Sequence, residues 1–142
     1  MDVEELKRSW DLVIRRGGDQ LASRFYSYLF ILYPDTRALF PLSMAAQRDR
    51  FVSALGYTVS RVDELDTLAP FLEQLGRDHR KFGVSPEHYP QVGRSLMYTI
   101  AETHGDSWTS ELADGWSDAF GMVAKVMIDA AASAAGEGVP AS

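Results

Sequence analysis

The sequence predicts an all-α domain of about seven or eight helices, on three observations. Apolar residues recur three or four positions apart along almost the whole chain, which is the spacing of one helical face. Strand patterns, in which apolar and polar residues alternate, are nearly absent. The chain of 142 residues, 46% hydrophobic and 24% charged, has the length and composition of a single globular domain. We therefore expect helices with short joints around one core.

The first two helices are bounded by residues that favour helix starts and stops. Asp2 can cap the first helix, and Gly17-Gly18 ends it. Asp19 can cap the second helix, which Tyr33-Pro34 breaks. The inner faces of these helices comprise Val3, Leu6, Trp10, Val13 and Ile14 in the first, and Leu21, Phe25, Leu29 and Leu32 in the second.

The third and fourth helices have equally local signals. Pro34 suits the first turn of a short third helix, which closes at Phe40-Pro41. Ser43 can cap the fourth helix. The fourth helix carries Gln47, Phe51, Leu55 and Val59 on one face.

The fifth helix carries a histidine within a stripe of apolar residues. His79 lies one turn before Gly83, where the helix must stop. A buried imidazole has to satisfy two nitrogens. It is either a hydrogen-bonded core residue, or it binds a metal through one nitrogen and a backbone carbonyl through the other. The stripe consists of Leu65, Leu68, Leu72, Leu75, His79 and Phe82.

Two further helices complete the chain. Ser85-Pro86-Glu87 supplies a cap, a first-turn proline and a first-turn acid, and Gly105-Asp106 ends this helix. After Ala130 the last helix fades into Ala, Gly, Ser and Pro, so we expect a domain over 1–130 and a frayed tail over 131–142. The inner faces are Tyr89, Val92, Leu96 and Ile100, then Trp108, Leu112, Trp116, Phe120, Val123 and Met127.

Charge and composition exclude several classes of function. The net charge of −6 argues against a nucleic-acid partner, whose phosphates would be repelled. The absence of cysteine excludes disulfides, iron–sulfur clusters and a cysteine nucleophile. The acidic residues that follow Met1 do not fit a signal peptide, and no apolar run approaches the roughly 20 residues that span a bilayer. We therefore expect a cytoplasmic protein with no membrane partner.

The two other histidines are weaker candidates for a metal ligand. His88 lies in a first helical turn beside Tyr89, so we expect its ring to face solvent. His104 ends a helix, where a positive charge is favourable. Neither has the spacing of a zinc site with a partner residue, so we do not expect zinc.

An ordered set of residues gives the chain a family resemblance. It resembles the haem domain of bacterial flavohaemoglobins and the single-domain bacterial haemoglobins related to them, from about Leu6 to Met127. This resemblance implies a globin fold around haem b. The set is Phe25-Tyr26, Phe40-Pro41, Gln47-Arg48, Asp78-His79, Pro86-Glu87-His88-Tyr89 with Val92-Gly93, and Trp116.

The resemblance implies a role for His79 and its neighbours. The matching histidine holds the haem iron from the proximal side, and the residue that matches Phe40 packs flat on the haem. Arg77 and Lys81 flank His79 and are candidates to pair with haem propionates, the alternative being that they are solvated charges.

The same resemblance also shows a departure from the family. Tyr89 matches a tyrosine that contacts the region of the proximal histidine, and Val92 lies on the same helical face. Flavohaemoglobins carry a glutamate on the last helix that makes the histidine more imidazolate-like, whereas Ala131 stands at that position here. The departure weakens the case for strong electron push from the histidine.

On the distal side, the resemblance implies that Tyr26 donates a hydrogen bond to O2 and that Gln47 assists. A phenol can donate to O2 of superoxide character in a dry pocket. The alternatives are a tyrosine that only packs and a glutamine that faces water. Phe25 would help to wall this side. Phe51, one turn after Gln47, would point into the pocket and narrow access, where the family more often has an aliphatic residue.

The implied function is that of a single-domain globin that binds O2, NO and other small haem ligands and converts NO to nitrate. Because the chain has no GxGxxG motif, electrons would come from a separate flavin- or ferredoxin-type reductase. The alternatives are a non-enzymatic O2 carrier or gas sensor, a haem enzyme acting on a small organic substrate, and a helical interaction module without cofactor. We expect a monomer or a homodimer.

Overall fold

The computed structural model describes residues 2–138, which form six α-helices and two short 3-10 helices joined by short connections, without a strand. The all-α prediction is confirmed. Side chains are described through residue 133. The elements are α1 (Val3–Gly17), α2 (Gln20–Leu32), a 3-10 helix (Pro34–Leu39), α3 (Ala45–Ser60), α4 (Leu65–Lys81), α5 (His88–His104), a second 3-10 helix (Gly105–Ser107) and α6 (Ser110–Gly138).

The helix ends follow the predicted caps in part. The Asp2 carboxylate accepts a hydrogen bond from the Glu5 backbone N–H at 3.1 Å, and Gly18 turns the chain after α1 with a φ of 52°. Asp19 makes no capping hydrogen bond, and α3 begins after Met44 rather than after Ser43. Thr109, which the sequence analysis did not single out, caps α6 through its hydroxyl, which accepts from the Leu112 N–H at 3.1 Å.

Two clusters of buried residues hold the helices together. The larger one joins α1, α2, α3, α5 and α6 and includes Leu21, Phe25, Tyr26 and Ile100. The smaller one joins α4, α5 and α6 around Leu68, Leu72, Tyr89, Ala124 and Met127. Tyr26 and Tyr89 therefore lie in two separate parts of the core.

The crossing of α4 and α6 depends on a glycine. A Cβ added to Gly76 would lie 2.3 Å from the Met127 carbonyl oxygen, which is far inside van der Waals contact. Only a residue without a side chain lets these two backbones approach so closely. Gly76 thus sets the position of the helix that carries His79.

Three predicted core residues are exposed, and all three stand at helix ends. Leu65 begins α4 and is 53% exposed, Phe82 follows its last residue and is 75% exposed, and Leu32 ends α2 at 43% exposed. The prediction of these three as inner-face residues is wrong, because helical periodicity does not say where the neighbouring elements stop covering a helix.

The last helix extends further than the sequence analysis expected. It continues past Ala130 to Gly138, so the first residues of the expected frayed tail are helical. The part of that expectation that concerns residues 139–142 lies outside the described residues. Between residues 2 and 138, no helix combines the length and the apolar character needed to cross a membrane.

Candidate functional site

Tyr26 on α2 and Gln47 on α3 are brought into direct contact. The Gln47 Nε2 donates to the Tyr26 hydroxyl oxygen at 3.1 Å, and Tyr26 is buried. Gln47 in turn accepts a hydrogen bond at 2.9 Å through its Oε1 from the Arg50 guanidinium. Because the Tyr26 oxygen accepts from Gln47, its own proton is available for another acceptor. We call these three residues and the phenylalanines around them the tyrosine side.

Burial keeps the Tyr26 phenol protonated. Desolvation raises the pKa of Tyr26, and the hydrogen bond from Gln47 and the charge of Arg50 only partly offset this effect. The group is therefore a neutral donor throughout the physiological pH range. Tyr28, two residues along, points elsewhere, since its hydroxyl donates to Glu102 at the surface.

Phenylalanines enclose the Tyr26 ring. Phe25 and Phe51 stack with centroids 4.2 Å apart and an interplanar angle of 8°. Phe40 and Phe51 present edge-to-face contacts to Tyr26 at 5.3 and 5.6 Å. Phe30, which sequence reasoning missed, contacts both Tyr26 and Phe40 at 5.8 and 5.6 Å. Its signal was available, because it follows Tyr26 by four residues and so shares its helical face.

His79 on α4 is held by its own helix. Its Nδ1 lies 2.8 Å from the Leu75 carbonyl oxygen, so Nδ1 carries the proton and Nε2 has a free lone pair. Among the side chains of residues 2–133, none hydrogen-bonds to Nε2. Desolvation lowers the pKa of His79, although the Leu75 hydrogen bond and the Asp78 charge oppose it. We call His79, Leu75 and the neighbouring Tyr89 the histidine side.

These properties fit an axial ligand of haem iron. Such a ligand is a neutral imidazole with one nitrogen free and the other bonded to a carbonyl or carboxylate. Tyr89 is buried, and its ring lies 6.4 Å from that of His79 at an interplanar angle of 28°. Burial raises the pKa of Tyr89, so it is also neutral. Val92, which lies on α5 together with Tyr89, packs against the larger buried cluster.

The two cations beside His79 are engaged on their own helix. Arg77 donates to the Gln74 side chain at 3.1 Å, and Lys81, an exposed residue, lies 3.9 Å from the Asp78 carboxylate. Their predicted pairing with haem propionates stays a prediction.

Ala131, at the position where flavohaemoglobins carry a glutamate, is half-buried on α6. Asp129, a nearby acid on the same helix, pairs with Lys125 at 2.9 Å on the surface.

The other histidines occupy places that the sequence analysis did not expect. His88 is half-buried, and its Nδ1 accepts from the Ser85 backbone N–H at 2.9 Å, rather than facing solvent. His104 is only 3% exposed, and its ring bonds to the Ser9 hydroxyl at 2.6 Å and the Ser107 hydroxyl at 2.9 Å. Desolvation and the Arg16 charge lower the pKa of His104, so it is a neutral core residue and not a cation at a helix end.

No cluster of three or more His, Cys, Asp or Glu side chains that could hold a metal ion occurs among the described residues. This absence does not test the expectation that zinc is not bound. The available donor atoms instead favour another kind of metal site. A single histidine with a free Nε2 suits a metal that brings its own equatorial ligands, as iron does in haem.

Comparison with known proteins identifies the family. Residues 23–127 match the globin family. The chain is 30% identical over 127 residues to a flavohemoprotein of Bacillus subtilis and 29% identical over 130 residues to one of Bordetella parapertussis. These alignments cover 87% and 89% of the chain but only 32% of each relative. The chain thus spans about a third of the length of the flavohemoproteins that it matches.

Solved structures show the same fold. A globin of Campylobacter jejuni superposes with a TM-score of 0.77 at 24% identity, covering 92% of this chain and 96% of that one. The myoglobin of Aplysia limacina superposes with a TM-score of 0.79 at 17% identity, covering 92% and 95%. The chain is a member of the globin family.

Proposed function

We propose that this globin holds haem b through His79 and converts NO to nitrate with O2, using electrons from a separate reductase. The observation that carries the proposal is the pair Gln47–Tyr26, in which the buried phenol accepts from the amide and keeps its own proton free to donate. A cytoplasmic location, expected from the sequence, belongs to the same proposal.

Haem would supply the iron on which O2 binds and from which one electron passes, so that NO, O2 and one electron give nitrate. The residues of this chain would orient the haem ligand and donate hydrogen bonds. The Tyr26 hydroxyl, whose proton is not used by Gln47, would donate a hydrogen bond to a gas ligand that carries partial negative charge. The Leu75 carbonyl holds the His79 ring in one orientation through Nδ1–H.

The phenylalanines of the tyrosine side support a role with small ligands. Phe25, Phe51 and Phe40 leave the Tyr26 hydroxyl in an apolar surrounding, in which a hydrogen bond to a charged acceptor is stronger than in water. The stacked Phe25–Phe51 pair disfavours a bulky organic substrate at this place. We therefore place the organic-substrate alternative last.

A second candidate function is an O2 carrier or gas sensor, and one observation favours it. The Nδ1 of His79 donates to a neutral carbonyl and, among the described side chains, contacts no carboxylate. An anionic partner would make the histidine more basic and would push electron density toward the bound ligand. The neutral hydrogen-bond partner of His79 therefore supports a globin that binds O2 reversibly.

Turnover in the presence of a reductase separates the two candidates. The visible spectrum of the purified protein first establishes haem. The protein is then mixed with NADH, a flavin-type reductase, O2 and NO, and nitrate is counted per haem. We expect many nitrates per haem, and fewer for Tyr26→Phe. Formation that stops at one nitrate per haem, although the reductase demonstrably reduces the ferric protein, would establish the carrier or sensor function instead.

A further inference from the structure

The direction of the hydrogen bonds on the tyrosine side is decided by a residue outside the pocket. Gln47 has both a donor and an acceptor at the end of its side chain, and either can face Tyr26. If Nε2 faces Tyr26, the phenol proton is free. If Oε1 faces Tyr26, the phenol donates to the amide and has no proton left for a ligand.

Arg50 removes this ambiguity. A guanidinium has five donor hydrogens and no acceptor, so it can contact only the oxygen of the Gln47 amide. The Arg50 Nη2 lies 2.9 Å from the Gln47 Oε1, and the Gln47 Nε2 lies 3.1 Å from the Tyr26 oxygen. The two residues are three apart on α3, where side chains are neighbours.

We propose that Arg50 is a positioning residue that holds the Gln47 amide in the one orientation that leaves the Tyr26 proton free to donate. This inference rests on the proposed role of Tyr26 as a donor to a haem-bound gas. All three residues then donate in the same direction, from the solvent-exposed guanidinium inward to the buried phenol. The positive charge at the outer end also favours ionisation of the phenol, which makes its proton a better donor.

The test varies the charge and the hydrogen-bonding capacity of the side chain at position 50. Arg50→Lys keeps a donor-only side chain, Arg50→Leu removes the donor, and Arg50→Glu presents an acceptor that attracts the Gln47 Nε2 and so turns the amide over. Arg48→Glu is the matched control, since it reverses the same charge two residues away on α3. Each variant is made in the parent protein and again with Gln47→Leu, which has no amide to orient.

Two measurements follow the effect without NO turnover. One is the rate of O2 release by stopped flow, and the other is the C–O stretching frequency of the ferrous CO complex, which rises when a nearby donor is lost. We expect release to be unchanged in Arg50→Lys, about threefold faster in Arg50→Leu and about tenfold faster in Arg50→Glu, the size of one ordinary hydrogen bond. In the Gln47→Leu background, all three substitutions should have no effect.

Several outcomes overturn the inference. Unchanged O2 release and C–O stretch in Arg50→Glu would show that Arg50 does not orient the amide. An effect that persists in the Gln47→Leu background, or an equal effect of Arg48→Glu, would show that only charge matters. The titration of the Tyr26 phenol, followed by its ¹³Cζ resonance, provides a readout that needs no bound gas. The pKa of this phenol should rise more in Arg50→Glu than in Arg48→Glu. A failure of NO turnover alone, with these shifts present, would count against the dioxygenase function and not against Arg50.

Discussion

The tyrosine side and the histidine side of this globin are built in different ways. On the tyrosine side, side chains from two helices hydrogen-bond to one another, and the series ends in a charged guanidinium. On the histidine side, one ring bonds to a carbonyl of its own helix and has a neutral aromatic neighbour. The comparison teaches that the tyrosine side depends on tertiary contacts between two helices, whereas the orientation of the neutral ring on the histidine side is fixed within a single helix.

The largest expected effect comes from removing the anchor. His79→Gly should abolish the spectrum of a five-coordinate histidine-bound ferrous haem, because the proposed ligand, whose Nε2 has a free lone pair, is gone. Added imidazole should restore that spectrum by occupying the space of the lost ring. His104→Ala is the control, since its ring is engaged by Ser9 and Ser107. An unchanged spectrum in His79→Gly, or its loss only in His104→Ala, would contradict the assignment.

The next effect tests the tyrosine side. Tyr26→Phe should speed O2 release roughly tenfold to hundredfold, since a hydrogen bond to a charged acceptor is worth about 1.5–3 kcal/mol. Tyr28→Phe should leave the rate unchanged, because that hydroxyl is bonded to Glu102 at the surface. A change below twofold in the stopped-flow measurement of Tyr26→Phe would mean that Tyr26 only packs.

A smaller effect concerns the helix that carries His79. Gly76→Ala should destabilise the fold by about 1–3 kcal/mol, because the new methyl group would overlap the Met127 backbone and force α4 away from α6. Gly115→Ala, in the second turn of α6 with no neighbouring atom near its added Cβ, should stabilise the fold by up to about 1 kcal/mol. Urea unfolding of both variants decides the point, and equal stability of the two would show that the α4–α6 crossing tolerates a side chain.

The smallest effect is expected from a substitution that gives the histidine side a charged group, as the tyrosine side already has. Ala131→Glu places a carboxylate on α6 at the position where the resemblance to flavohaemoglobins expects one, and α6 is helical there. We expect a modest rise in the ferrous iron–histidine stretching frequency, because an anionic partner makes the histidine more basic. Resonance Raman spectroscopy compares the variant with the parent. A high frequency already in the parent would show that another group supplies the charge.

Local chemistry in the sequence determined the helices and many of their ends. The periodicity of apolar residues, the carboxylate of Asp2 and the glycines after α1 and α5 act within a few residues of themselves, so each can be read without knowing the fold. The Nδ1 hydrogen bond of His79 belongs to the same class, because its acceptor is four residues earlier on the same helix. A backbone carbonyl as the second partner of this ring was therefore predictable.

Tertiary structure alone decided which polar atoms meet and which side chains are covered. His104 became a neutral core residue because the fold desolvates its ring and brings it near the Arg16 charge, and its ring meets Ser9, 95 positions away, at 2.6 Å. The orientation of the Gln47 amide depends on Arg50 and Tyr26 together, and only their juxtaposition reveals Arg50. Leu32, Leu65 and Phe82 have the right periodicity but no neighbour to cover them. The physical reason is the same in each case, since burial and the direction of a hydrogen bond are properties of the groups brought together and not of either group alone.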